Sequence, residues 1–145
     1  MKEVENVFLG EYSHTIDTKG RLFMPSKFRE ELKDTFFVTK SVDTCLAVYS
    51  SEEWTRFTDK INALPEIQSR KIRRFLFSAA TEVSPDLQGR ILLPSNLREY
   101  AKLEKAVTVV GVGDHIEIWS EESFKNELSS EDVSDIEQTL ISLGF

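Results

Sequence analysis

Two segments of the 145-residue chain place an acid four positions ahead of an arginine, with glycine just before the arginine: Asp17-Thr-Lys-Gly-Arg21 and Asp86-Leu-Gln-Gly-Arg90. Three chemistries suit this arrangement. The planar guanidinium can donate in a fork to a phosphate or to the edge of a guanine. An acid beside a cation can serve an enzyme as an electrostatic clamp. Or the charges simply pair across a turn, because Asp caps its own backbone two residues on and Gly supplies positive φ. For Arg21 and Arg90 the residues alone leave anion contact and structural pairing equally open. Lys19 is not needed for a turn, which leans the first segment toward binding. Thr15 and Thr18 add hydroxyl donors there, and Lys27 and Arg29 add charge. The second segment has Gln88 and Asn96 where the first has Lys19 and Lys27, so the first is expected to dominate any anion contact.

Enzyme and metal chemistry find no comparable set. A nucleophile needs a base and an orienting acid, yet the second segment has no histidine. The two histidines, His14 and His115, stand far apart in sequence, and Cys45 is the one cysteine. An internal disulfide and a Cys-rich metal site are therefore excluded, and a His-cluster zinc site is not expected. Cys45, between Thr44 and Leu46, reads as a small buried apolar residue. Val110-Gly-Val-Gly-Asp114 lacks the glycine pattern and the following Lys and Ser/Thr of a phosphate loop, and reads as a strand ending in a turn. No cofactor and no small-molecule substrate are implied.

The net charge of −7 argues at face value against nucleic acid. The charge is uneven, however. Residues 114–145 hold nine acids and one base, whereas residues 1–113 hold 17 bases and 16 acids. A second basic cluster, Arg70, Lys71, Arg73 and Arg74, falls on a predicted helix. It reads as a solvated face, as a nucleic-acid contact, or as a partner for the acidic C-terminal segment of the same chain or a neighbour. No apolar run approaches the roughly 20 residues of a membrane span. The first residues, Met1 to Asn6, lack a signal-peptide core, so a cytoplasmic location is expected.

The elements that position the two turns repeat. Residues 17–29 align with 86–98 at an offset of 69, with six of thirteen positions identical. One inserted residue later, Leu46-Ala-Val-Tyr-Ser50 aligns with Ile116-Glu-Ile-Trp-Ser120. Two copies are too few for a solenoid, so the pattern predicts a duplicated β-rich unit packed as a pseudo-dimer. Residues 21–24 and 90–93 read as short strands stopped by Pro25 and Pro94. Ser26 and Ser95 are expected to start short helices with Phe28 and Leu32, or Leu97 and Ala101, facing inward. Residues 36–39, 46–49, 106–112 and 116–119 read as further strands. Ser50 and Glu53 form a capping-box pattern, and the helix that follows aligns Trp54, Phe57, Ile61 and Leu64. Pro65 opens the basic helix over 66–79, with Ile72, Phe75, Leu76 and Ala79 as its buried stripe. A last helix from residue 130 aligns Val133, Ile136, Leu140 and Leu143.

These motifs, together with Gly10-Glu-Tyr-Ser-His-Thr-Ile-Asp17, Pro25-Ser-Lys-Phe-Arg29 and Val110-Gly-Val-Gly-Asp-His-Ile-Glu-Ile-Trp119, resemble the MraZ family over nearly the whole chain. The resemblance is weakest over the last fifteen or so residues. It implies an α+β fold of two tandem swapped-hairpin AbrB-like β-barrel halves, related by an internal pseudo-two-fold, with peripheral helices. Residues 7–64 and 81–128 are expected to form the halves, 65–80 a connecting basic helix and 129–145 an acidic C-terminal helix. The resemblance further implies a bacterial transcriptional regulator, cytoplasmic and nucleoid-associated. Such a protein binds double-stranded DNA at short direct repeats in its own promoter, upstream of the division and cell-wall genes. It does so as a homo-oligomer, typically an octameric ring. Carried over by residue, the resemblance places Asp17, Lys19 and Arg21, and Asp86 and Arg90, in loops facing DNA. Gln88 departs from a basic loop. The competing class is a ring-forming scaffold that docks protein partners, its turns only structural.

Overall fold

The computed structural model describes residues 8–130 and 133–145. Two units follow one another with the same element order. The first runs β1 (Phe8–Thr15), β2 (Arg21–Phe23), α1 (Ser26–Leu32), β3 (Phe36–Lys40), β4 (Leu46–Ser50) and α2 (Ser51–Asn62). After α3 (Glu66–Phe77), the second runs β5 (Thr81–Val83), β6 (Arg90–Leu92), α4 (Ser95–Tyr100), β7 (Ala106–Gly113), β8 (Ile116–Ser120) and α5 (Glu121–Ser130). A final helix, α6, covers Val133–Ser142.

The units exchange strands. The main sheet is antiparallel, in the order β1-β7-β8-β4-β3-β5. β1 of the first unit therefore pairs with β7 of the second, and β5 of the second pairs with β3 of the first. β4 and β8 join the units at the centre, with Ala47 opposite Glu117. β2 and β6 form a separate two-stranded ribbon, with Leu22 opposite Ile91. Both facing pairs are repeat-equivalent residues, so the pseudo-two-fold passes through them. Leu22 and Ile91 are fully buried and share one core with Val38, Val48, Val109 and Ile118 of the main sheet. The sheet remains open, with β1 and β5 at its edges; neither unit closes a barrel alone.

Local chemistry explains the elements. Pro25 and Pro94 occupy the cap positions of α1 and α4, so Ser26 and Ser95 are the first helical residues rather than the caps. A fixed proline φ and a missing N–H suit a helix start. The Ser50 hydroxyl accepts the Glu53 N–H at 3.2 Å, as the sequence pattern requires. α2 lies on the outer face of the sheet through rings: Trp54 stacks on Phe37 at 5.1 Å, and Phe57 on Tyr49 at 4.7 Å. Gly111, opposite Gly10, permits a close crossing of β1 and β7, since a Cβ there would meet the Phe8 carbonyl carbon at 2.4 Å.

Three sequence expectations change. β1 and β5 are strands the sequence reading did not include: most β1 side chains face solvent, and β5 is only three residues long. Phe75 leaves the buried stripe of α3 and packs at the surface against Tyr100, with the Lys40 ammonium over its ring. Leu64 is exposed beyond the end of α2. In contrast, Phe28, Leu32, Leu97, Ala101 and Cys45 are buried as expected.

Leu22→Ala and Ile91→Ala each remove a fully buried side chain and should cost about 2–5 kcal/mol. Because the two face each other, the double variant should fall short of or exceed the sum by more than about 0.5 kcal/mol. Denaturant unfolding of the three variants checks both points.

Candidate functional site

Each ribbon strand begins at an Asp-to-Arg turn, and the two turns are built alike. The Asp17 carboxylate accepts the backbone N–H groups of Lys19 and Arg21 through Oδ1, each at 2.9 Å. Its Oδ2 accepts Arg21 Nε at 2.7 Å. Asp86 repeats this with the N–H groups of Gln88 and Arg90 at 2.9 Å and Arg90 Nε at 2.8 Å. Gly20 and Gly89 close the turns at φ +84° and +86°, where a side chain is strained. The backbone N–H of Arg21 holds the Asp17 carboxyl below its ordinary value. It outweighs partial desolvation, with the Arg21 guanidinium and Lys19 N–H assisting. Asp86 is lowered in the same way by Arg90.

The structural pairing left open by the residues alone is thus formed in both turns, and it engages only one guanidinium nitrogen of each arginine. Among the described residues, no partner takes Nη1 or Nη2 of Arg21 or Arg90. The ribbon decides where these donors stand. Leu22 and Ile91 point into the core, so Arg21, Phe23, Arg90 and Leu92 share the opposite, outward face. Arg21 lies opposite Leu92, and Phe23 opposite Arg90. The arginines are therefore two residue steps apart along the ribbon, about 7 Å.

Each turn is completed by an arginine from the other unit. Arg98 on α4 donates Nε to the Leu93 carbonyl at 2.9 Å and lays its guanidinium over Gly20. Arg29 on α1 donates Nε to the Met24 carbonyl at 2.9 Å and covers Gly89. A Cβ at Gly20 would lie 2.9 Å from Arg98 Cζ, and one at Gly89 2.8 Å from Arg29 Cζ. Arg29, counted with the first turn by sequence, thus stands at the second.

Thr15, Asp17 and Thr18 line a groove with Glu104 and Lys105, and the Ile16 N–H donates to the Lys105 carbonyl at 2.9 Å. Lys19 and Thr18 are exposed at the tip. Beside the second turn, Arg29, Lys33, Asp34, Ser84 and Pro85 line the matching groove. There the tip carries the fully exposed Leu87 and the exposed Gln88. Lys27 is exposed on α1. The structure therefore gathers Thr15, Thr18, Lys19 and Arg21 with two residues the sequence reading omitted, Arg98 and Lys105. The repeat alignment already matches Arg98 to Arg29. Lys105 arrives only through the exchanged β1–β7 pairing, which has no local signal.

The remaining chemistry is sparse. Burial pushes the Cys45 thiol up to about 12, which leaves it unreactive. His115 sits between Asp114, at 2.8 Å, and Glu117. Burial lowers its pKa, but hydrogen bonds to Glu117 and Asp114 prevail and raise it. Among the described residues, no group of three His, Cys, Asp or Glu side chains could hold a metal ion. Nor is any described helix long and apolar enough to cross a membrane.

Comparison with known proteins adds a family. A family model described as "MraZ protein, putative antitoxin-like" matches twice in tandem, over residues 7–75 and 76–143. Three similar relatives are each named transcriptional regulator MraZ. That of Carboxydothermus hydrogenoformans is 52% identical over 122 residues, covering 83% of this chain and 85% of its own. That of Heliobacterium modesticaldum is 48% identical over 139 residues, covering 93% and 97%. That of Caldicellulosiruptor saccharolyticus is 47% identical over 143 residues, covering 96% and 100%.

Gly20→Ala forces a left-handed alanine against Arg98 and should destabilise the chain by about 1–3 kcal/mol in thermal unfolding. The lowered carboxyls set a pH dependence. Their contribution is present above the ordinary value of 3.8 and is lost as pH falls through the lower folded-state value. Asp17→Asn/Asp86→Asn should therefore melt below the wild type at neutral pH, and the gap should narrow below pH 3.8.

Proposed function

The chain belongs to the MraZ family, and from that premise we propose that it is a sequence-specific DNA-binding regulator of the division and cell-wall gene cluster. It binds short direct repeats in its own promoter through the turns at Asp17–Arg21 and Asp86–Arg90. Several chains act together in an octameric ring. It works in the cytoplasm, on the nucleoid, without a cofactor and without catalysis.

The observation that carries this reading is the Asp17–Arg21 pair. An unrestrained arginine loses rotamer entropy when it meets a ligand. Here Asp17 takes Nε at 2.7 Å and leaves both Nη groups on the exposed ribbon face. Those two donors form the fork that suits a phosphate or a guanine edge. Asp17 and Asp86 then act as positioning residues, and their charge is offset by the arginines they hold. Lys19, Thr18 and Thr15 add donors at the first turn. The second turn offers Arg90 with Gln88 and Leu87, and it contributes less.

A net-acidic chain can bind DNA in this way because the charge is segregated: the acids concentrate in residues 114–145. A few phosphate contacts per chain give little affinity at physiological salt. Several turns tethered in register on repeated sites gain from effective concentration, often 10²–10⁴-fold.

Arg21→Ala should weaken binding to the promoter fragment about tenfold or more. Lys19→Glu should weaken binding to all DNA alike and reduce the salt slope by about 1. Arg90→Ala should do less than Arg21→Ala. Fluorescence anisotropy with promoter and scrambled fragments reads all three. An Arg21→Ala protein of unchanged oligomeric mass that binds the promoter as the wild type does would leave the turns merely structural.

A further inference from the structure

The β2–β6 ribbon buries one face and leaves the other uncovered. Leu22 and Ile91 fill the shared core. On the outward face Arg21 stands opposite Leu92, and Phe23 opposite Arg90. Cations and apolar side chains therefore alternate corner by corner, and the pseudo-two-fold exchanges Phe23 with Leu92 as it exchanges Arg21 with Arg90. Phe23 is 45% exposed and Leu92 59% exposed. As diagonal cross-strand neighbours they stand about 7–8 Å apart, within reach of an aromatic side chain. They form one small apolar patch across the ribbon, with the His14 ring beside Phe23 at 6.4 Å.

Single apolar residues scattered on a surface need no explanation. This pair occupies the same position in both repeats, between two arginines whose Nη groups have no partner among the described residues. The cations suit a polyanion. A phosphate offers an apolar side chain nothing to pack on, so the pair needs an apolar group carried by that polyanion. In duplex DNA that group is the thymine C5-methyl, which is displayed in the major groove. The same groove, about 12 Å wide, admits a two-stranded β-ribbon.

We propose that the outward face of the β2–β6 ribbon lies in the major groove, with Phe23 and Leu92 packed on thymine methyl groups between the contacts of Arg21 and Arg90. The proposal rests on the DNA reading above and deepens it. The arginines hold the ribbon on the duplex, and the apolar pair favours T·A over C·G where it lands. Because the pair neutralises no phosphate, it adds nothing to the salt slope.

The test is fluorescence anisotropy of the full-length chain on three fragments: the upstream DNA, the same DNA with deoxyuridine at every thymine, and a scrambled sequence. Deoxyuridine removes the methyl and keeps the O4 acceptor. The wild type should bind the uracil fragment about fourfold more weakly per methyl contacted, the transfer value of one buried methylene. Phe23→Ala/Leu92→Ala should bind the thymine fragment more weakly than the wild type does. It should bind the thymine and uracil fragments alike, with its salt slope unchanged. Should the double variant melt early, Leu92→Ala alone, at the more exposed position, makes the same comparison with part of the effect. Equal wild-type affinity for the thymine and uracil fragments would overturn the proposal. A uracil penalty of the same size in wild type and variant would overturn it too, since it would belong to DNA shape. So would a variant of altered oligomeric mass, which would assign the pair to a contact between chains. In these three cases a wild type that still prefers the upstream fragment to the scrambled one keeps the DNA reading. Loss of that preference would overturn both.

Discussion

The exchange of strands between the two units is the constraint on which the rest depends. β1 hydrogen-bonds to β7 and β5 to β3, so each unit completes the other's side of the sheet. The ribbon is exchanged in the same sense, since Leu22 and Ile91 meet on the pseudo-axis and seal one shared core. Neither unit has an independent core to retain if its partner is removed. The same interlock reaches the turns. Arg98 of the second unit covers Gly20, and Arg29 of the first covers Gly89. The geometry of each turn is therefore a property of the pair.

This arrangement explains why much of the fold is legible in the sequence and where legibility stops. The duplicated Asp-x-x-Gly-Arg motif marks both turns, because turn chemistry is local: the carboxylate, the N–H groups it accepts and the glycine all lie within five residues. The prolines at 25 and 94 and the apolar spacing of α1 and α4 are local as well. The edge strands are not. Residues 8–15 become a strand because β7 offers them a ladder, and their mostly exposed side chains carry little apolar alternation. Lys105 reaches the first turn by the same long-range pairing. Phe75 was misplaced by periodicity for a related reason: Tyr100 and Lys40, distant in sequence, give its ring a surface seat.

In the functional reading, the Asp–Arg pair is both a structural and a binding device. On the proposed reading the two roles do not compete for the same nitrogens. Nε of Arg21 is spent on the turn, and among the described residues no partner takes its two Nη groups. The acid fixes the guanidinium without consuming its fork. Charge segregation removes the objection raised by an overall net charge of −7, since residues 114–145 hold nine acids and one base while residues 1–113 nearly balance, with 17 bases and 16 acids. The chain belongs to the MraZ family, whose similar relatives are named transcriptional regulators.

The most direct test of the account is equilibrium binding of the wild-type chain to its own upstream DNA and to a scrambled fragment of equal length, over about 50–200 mM salt. Preferential binding to the upstream fragment is predicted, with log affinity falling linearly against log salt at about −0.9 per phosphate engaged. Equal, weak affinity for the two fragments at every salt concentration would contradict it.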